Sequence, residues 1–559
     1  ASETSKVADL EIEGGAMEMF VQGDRAVVFS NTYGVEALDD GDLCQGYGYG
    51  GGPELAIDGG AYYCGRSFVK ITVIDLSGDT PVAVREIYVD GWYTSSRRHD
   101  NIVRTVVQSS MQQPGTVPYL YDIVYNGGAY PESREAEILL ARAWAVKAKE
   151  AIAATTLEQW VPVWGERVDG EIQQQPVQCA DFYSPAPGLT NYGLTQIVGI
   201  DIGDDSSTQI TSILGQATQV YANAGALILA QPDWTWFARG TNSDRTAVHR
   251  FAVSSDAQRT PYQGSGFVQG IINDQFSMDE RDGVLRIATT RTTWPDRTDD
   301  MFAPEVWVPP TTDNLVSTMR LNGNALELLG STPPLAEGER IFSARFLGDI
   351  GYIVTFRQVD PLFAIDLSNP ESPKVLGELK IPGFSDYMHP LGDNHLLTIG
   401  RDIDEETQRD NGTALQIFDV SDPVNPVLAH KALVGDGYSE ANHNHKAFNF
   451  YADQDIAGKG LLAFPFVSYE SDFSSTLELW EVSADDGFTR RGAVDHSDLV
   501  LDDCGGVPYA VEDFYYYCGY QPQITRGVFI DEFIYSISYG GVRVHGVNDL
   551  TTVVATATY

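Results

Sequence analysis

The segment IFSARFLGDIGYIVTFRQVDPLFAIDLSNPESPKVLGE, residues 341–378, reads as strand, Gly-Asp turn, strand, loop, strand, Asp-Leu-Ser-Asn-Pro turn, strand. The same pattern returns over 387–430, where HPLGDNHLLTIG leads to LQIFDVSDPVNPVLAHK. A four-stranded antiparallel unit that repeats along a chain is the mark of a β-propeller.

With the strands of a unit named A to D from the axis outwards, the Asp-Leu-Ser turn follows strand C. Asp and Ser bond back to the local backbone there, and Pro cannot continue a ladder. Clear copies are VIDLSGDTP, AIDLSNPESP and IFDVSDPVNP; worn copies fall near Asp201, Ser254, Asn322, Glu481 and Asn548. Each follows an alternating apolar run, as a strand requires. An A–B hairpin precedes each, from MEMFVQGDRAVVFS to RGVFIDEFIYSIS. The chain is therefore predicted to be all-β, a single propeller over 1–559 with eight four-stranded blades. Seven is the alternative, because the third and fourth copies are the weakest. The first and last blades each come whole from one terminus, so ring closure is expected to rest on packing between blades, helped by an extra strand from ADLEIEG.

In such a blade the B–C and D–A loops open on one face and the A–B and C–D turns on the other. The long segments fall in the first class. They are the loop inserts 38–66 and 497–522, and the insert 110–190 within blade 2. Loops on a rigid scaffold commonly carry function. The 110–190 insert holds the one helical pattern. Ser133 is a fitting N-cap, and Ile138, Ala141, Ala145, Ala148 and Ile152 recur on one face. Thr155 and Glu158 fit a capping box for a second short helix. A lid packed on the blade edges is expected, with a partner-binding helix as the alternative.

The chain carries 36 Lys+Arg against 78 Asp+Glu, a net charge of −42. Such a surface repels nucleic acid and anionic membranes. It suits a salty or extracellular setting, and some of its acidic loops could hold calcium through oxygen ligands. These are 39–42, 201–205, 402–406, 452–455 and 483–487, none with full EF-hand spacing. No run of 18 apolar residues exists, so no transmembrane helix is expected. The chain begins at Ala1 rather than Met, as a processed export product would. Two cysteine pairs, Cys44 with Cys64 and Cys504 with Cys518, sit in similar Gly- and Tyr-rich words and read as disulfides stapling long loops. That implies an oxidising compartment: secreted, periplasmic or cell surface. Cys179 is left over and is expected as a buried thiol, with an intermolecular bond as the alternative.

The words QFSMDERDGVLRIATT, ARFLGDIGYIVTFRQVDPLFAIDLSNPESPKVLGELKIPGFSDYMHP and HKAFNF, between Phe276 and Phe448, resemble a family of secreted bacterial and archaeal proteins with a C-terminal β-propeller distantly related to WD repeats. WYTSSRR and the stretch from Cys179 to Pro185 are similar to it too. The resemblance implies export and a propeller. It brings no catalytic residues, and the two cysteine loops have no counterpart in it.

Registering the A strands against one another from their turns places Arg345 opposite His389 one blade on. Asp279 matches, Arg98 matches roughly, and His445 is close by. This polar ring at the channel entrance suits a small anion or a metal, although such residues often bond carbonyls or water around a channel. His443 and His445 at i, i+2 point the same way from an extended strand. With Glu440 and a cross-ring His389 they form the candidate transition-metal site, since imidazole and carboxylate suit Zn, Cu or Ni. Aromatic residues are plentiful in the inserts and could stack on sugars or peptides. No G-x-S-x-G elbow, P-loop or dinucleotide fingerprint occurs. The leading expectation is a non-enzymatic propeller that recognises a protein or glycan partner through the insert-bearing face. The alternative is a secreted metal-dependent enzyme at the axial entrance. Non-reducing peptide mapping should recover Cys44 linked to Cys64 and Cys504 to Cys518, with Cys179 alone alkylated; any other pairing removes the stapled-loop reading.

Overall fold

A computed structural model describes residues 5–558 apart from 39–65, 121–130, 186–192, 205–206, 234–241, 296–307, 357–359, 382, 405, 408, 469–473 and 500–522. Cys44, Cys64, Cys504 and Cys518 and the acidic run 39–42 lie outside the described residues. Cys179, expected buried, is instead an exposed thiol.

The hairpin and turn chemistry read from the sequence builds the strands. Between Met278–Arg281 and Val284–Thr293, Asp282 (φ 53°) and Gly283 (φ 73°) both take the left-handed conformation that a tight twisted hairpin needs. The Asp-Leu-Ser turn works as expected. Asp75, Asp366 and Asp419 each end a third strand and accept the backbone N–H of Ser77, Ser368 and Ser421 at 2.8–2.9 Å.

Eight antiparallel meanders of four strands follow one another. Their first strands are Gly15–Gln22, Trp92–His99, Gln219–Ala222, Met278–Arg281, Arg340–Leu347, Phe384–Leu391, Asn449–Ala452 and Ile524–Ile530. Hydrogen bonding groups the strands into seven sheets among the described residues, not eight separate four-stranded ones. The third and fourth meanders share a sheet through one parallel bridge, Ser265 to Ala325 on their outermost strands. The weakness of these two copies in sequence therefore coincides with the place where two sheets fuse.

The insert after Ser110 does more than cover one face. Its helix α1, Arg134–Ala153, starts at Ser133, whose Oγ accepts from Ala136 N at 3.2 Å, as expected. Ala148 is buried, whereas Ile138 and Ile152, expected on the same inward face, are exposed. The second capping box is shifted by one residue. Thr156 and Gln159 form it, not Thr155 and Glu158, and it opens a single 3-10 turn. The chain then makes a hairpin, Trp164–Val168 with Glu171–Gln174, which pairs with the outer strand Val82–Asp90 of the first meander. This part of the insert thus widens the first sheet to six strands instead of sitting as a lid.

Packing follows the period-2 alternation of each strand. Neighbouring residues on a second strand face the two neighbouring meanders. Leu396 joins a cluster with Val354 and Leu362 of the meander before it, while Leu397 and Ile399 join Leu462 and Phe464 of the one after. Seven such clusters join consecutive meanders from the first to the eighth. Among the described residues none joins the eighth to the first. There the outward side of the first meander, Ala26, Val28 and Ile74, is covered by Leu10 and Ile12 of the N-terminal segment, and Met17, Met19 and Val21 stay exposed. The same segment is held by Glu13, whose carboxylate accepts from Lys70 Nζ at 3.0 Å and Tyr88 Oη at 2.7 Å. Burial pushes Glu13 up, but these bonds outweigh it and hold the carboxyl below its usual value. The segment expected to help closure sits at the seam, as irregular chain and not as a strand.

Replacing Leu10 and Ile12 by Ser should therefore cost about 1–2 kcal/mol, the loss of two half-buried apolar side chains. Hydrogen exchange should rise in Gly15–Gln22 and Arg25–Tyr33 and stay unchanged in the sixth meander. Uniform exchange across the chain would contradict a local seam.

Candidate binding site in the axial channel

The eight first strands, or the turns leading into them, surround one channel. Near the strand starts it widens to a cavity of about 1710 Å³. Beyond, at the strand ends, lies a second cavity of about 660 Å³. Phe20, Arg97, Gln275, Phe276, His445 and Lys446 line both. They form a bar across the channel.

Its members come from four different meanders. The Arg97 guanidinium donates to Ser96 O at 2.8 Å, to Val220 O at 3.0 Å and to Gln275 Oε1. Gln275 Nε2 lies 3.2 Å from His445 Nε2. Lys446 pairs with Glu18, whose other oxygen accepts from Tyr93 Oη at 2.7 Å. Gln275 is placed by a turn in which Asp274 Oδ1 accepts from the N–H groups of Phe276 and Ser277 at 2.9 Å. An aromatic cluster backs the bar. Phe276 meets the His445 ring edge-to-face at 5.0 Å and Tyr387 at 5.2 Å, and the Arg345 guanidinium lies 4.8 Å over Phe276.

The structure sorts the residues expected at the site. Arg345 and His389 do occupy equivalent places, each third from the end of its first strand. Asp279 does too, but it is paired with Arg286, whose Nε donates to Oδ2 at 2.8 Å. Arg98 is off by one: Arg97 holds the equivalent place, and Arg98 turns to Gln22 Oε1 at 2.6 Å and Asp100 O at 2.8 Å. Counting back from the true turn, Asp100-Asn101, would have found Arg97. Gln275 and Lys446 carry no sequence signal.

The four expected metal ligands are not brought together, and no group of three or more His, Cys, Asp or Glu placed to hold a metal occurs among the described residues. His443 and His445 do not share an extended strand. His443 ends one 3-10 turn and His445 opens the next, because Ser439 and Asn444 cap two successive turns here. Glu440 accepts from Asn444 Nδ2 at 3.3 Å. His389 packs against Phe448 and Phe450 at 5.6 and 5.3 Å.

The electrostatics follow from burial. His445 is pushed down to about 4 by burial, and then by Lys446, Arg97 and Arg345. His389 falls to about 4 by burial and Arg345. Both rings are neutral near pH 7. Asp386, on the wall of the wide cavity, is pushed up to about 6 by burial, against a hydrogen bond from Asn442 and the charge of His443.

Consecutive four-stranded meanders around a lined axial channel define a propeller. The chain belongs to the Beta propeller domain family, whose model matches residues 1–550. It is 36% identical over 205 residues to an uncharacterised protein of Archaeoglobus fulgidus, covering 37% of this chain and 28% of that one. It is 39% identical over 184 residues to an uncharacterised protein of Methanocaldococcus jannaschii, covering 33% and 26%. The matches thus span about a quarter of the length of these relatives. Among solved structures, Sqt1 of Chaetomium thermophilum superposes with a TM-score of 0.36 at 10% identity, covering 66% of this chain and 79% of that one. Sqt1 of Saccharomyces cerevisiae gives 0.34 at 9%, covering 67% and 85%. No helix among the described residues is long and apolar enough to cross a membrane.

The Asp386 site sets a pH dependence. In the unfolded chain the group ionises near 3.8, in the fold near 6. Between these values the native state holds the extra proton, so this site's contribution to stability falls as pH rises from about 4 to 6. His389 and His445, shifted the other way, add stability over roughly the same range. Asp386→Asn removes only the first effect. Its melting temperature should match the parent's below pH 4 and exceed it increasingly up to pH 6, then by a constant margin. A constant difference from pH 4 to 7 would show that Asp386 does not titrate as its burial requires.

Proposed function

We propose that this protein is a non-enzymatic binding propeller of the cell exterior, taking a protein or glycan partner at the wide mouth of its axial channel. Each of its eight meanders serves as one blade. The observation that carries the reading is where the wide cavity opens. It lies at the starts of the first strands. Alternating strand direction puts the strand ends at Tyr33 and Ser67, Ser110 and Gly193, and Asp495 and Ile524 at that same end. These are the points from which the three long inserts leave the blades. The wall of the mouth mixes aromatic and amide side chains with the exposed Met17 and Met19, a composition suited to contact surfaces.

Export and the two disulfides belong to the same reading. So does calcium on the acidic loops, although several of those carboxylates already serve their own turns. Asp404 Oδ1 accepts from Thr407 N at 2.7 Å, and Asp453 Oδ1 from Asp455 N at 2.8 Å.

Ala16 is exposed on the first strand at the mouth. On glycan and extracellular-protein arrays, a partner of the parent protein should bind Ala16→Trp at least tenfold more weakly, because the indole fills the mouth. Equal binding by both would remove the mouth as the site. Elemental analysis of the same preparation separates the alternative. Calcium alone or no metal accords with a binder. A stoichiometric transition metal lost on His445→Ala would favour a metal-dependent enzyme using His389, His443, His445 and Glu440.

A further inference from the structure

The narrower cavity beyond the bar stands apart from the rest of the molecule in its charge. Carboxylates outnumber cations by 78 to 36 in the chain. Yet Arg97, Arg98, Arg345 and Lys446 line this cavity against one carboxylate, Asp279; Asp279 is already paired with Arg286, and of the four cations only Lys446, with Glu18, has a carboxylate partner. Fourteen arginines of the described chain, from Arg25 to Arg543, lie within ion-pair distance of a carboxylate. Arg97, Arg98 and Arg345 do not. Arg97 is turned to carbonyls and an amide, Arg98 to an amide and a carbonyl, and Arg345 to the faces of Phe276 and Tyr387. Both terminal nitrogens of Arg97 are spent on these partners and Ser95 Oγ, whereas Arg98, bonded only through Nη1, and Arg345, laid over two rings, keep donors for an anion in the hollow.

The setting favours such an anion. Phe20, Phe276, Met278 and Phe346 line the same cavity and lower the local dielectric, which strengthens charge-assisted hydrogen bonds. Guanidinium groups present paired N–H donors that match the oxygens of carboxylate and phosphate. About 660 Å³ is the size of a metabolite pocket, too small for a folded partner. The bar of Arg97, Gln275 and His445 separates it from the wide mouth.

We propose that this cavity binds a small molecule bearing a carboxylate or phosphate group, gripped by Arg98 and Arg345 with Arg97 and Lys446 completing the cationic wall. The site is independent of any partner at the mouth.

The test is calorimetric titration of the full chain, at constant ionic strength, with inorganic phosphate and separately with citrate. Saturable binding of at least one is expected, the stronger of the two identifying the oxyanion class. Arg345→Gln and Arg98→Gln should each weaken it at least tenfold. Arg409→Gln, on an exposed loop away from the channel, should leave it unchanged. Ala16→Trp, in the wide cavity, should also leave it unchanged, so that failure of the mouth and failure of this site are told apart. Should Arg345→Gln lose its native circular dichroism, Arg98→Gln at the rim decides alone. The proposal is overturned if neither anion binds the folded parent, or if binding survives both channel substitutions.

Discussion

Every other feature depends on strands buried on both faces. A lone four-stranded meander has two apolar faces and too little chain to cover either. Here each second and third strand sends alternate residues to the meander before and the meander after, so one strand belongs to two cores. Leu396 and Leu397 are adjacent in sequence and lie in different clusters. From the second to the seventh, no meander can bury its residues without both neighbours, and that mutual need sets the curve of the chain and the channel at its centre. The channel is thus not a cavity left by poor packing. It is the space that remains when the first strands are too close to the axis to be covered by anything but each other.

The charge of the chain is distributed with the same economy. Carboxylates cap turns along the outside, as at Asp366 and Asp419, and cations are concentrated where chain segments must be tied together. Lys70, Arg167 and Tyr88 converge on Glu13 and Glu86, joining the N-terminal segment, the first meander and the hairpin from the insert. Arg104, fully buried, reaches the carbonyls of Ser254 and Ala257 in the next meander. Against that pattern the channel arginines stand out, since they tie nothing acidic.

Much of the architecture was legible in the sequence because it is written locally. Tight turns need Asp and Gly at fixed places, and the helix start needs Ser133; such signals survive in a single chain. The equivalence of Arg345 and His389 was legible for the same reason, being counted from a turn. What escaped depends on contacts distant in sequence. The hairpin at 164–174 joins a sheet 75 or more residues earlier, and nothing within it names that partner. Spacing from a Gly-Asp turn points to Arg98, but the turn here is Asp100-Asn101, which puts Arg97 in the equivalent place. The histidines at 443 and 445 were read as strand because i, i+2 spacing suggests one. Two capping residues, Ser439 and Asn444, made short turns of it and sent the rings apart.

The seam between the last meander and the first has a mechanical meaning. Seven apolar joints and, among the described residues, no eighth make a split washer, not a hoop; Leu10 and Ile12 cover only the first meander's side of the seam. A closed hoop can widen only by stretching every joint at once. A split washer widens by a small angle shared among its joints, with the gap taking up the displacement. On that geometry the seam, lined on one side by Leu10 and Ile12, is the joint at which a change in the aperture costs least buried surface.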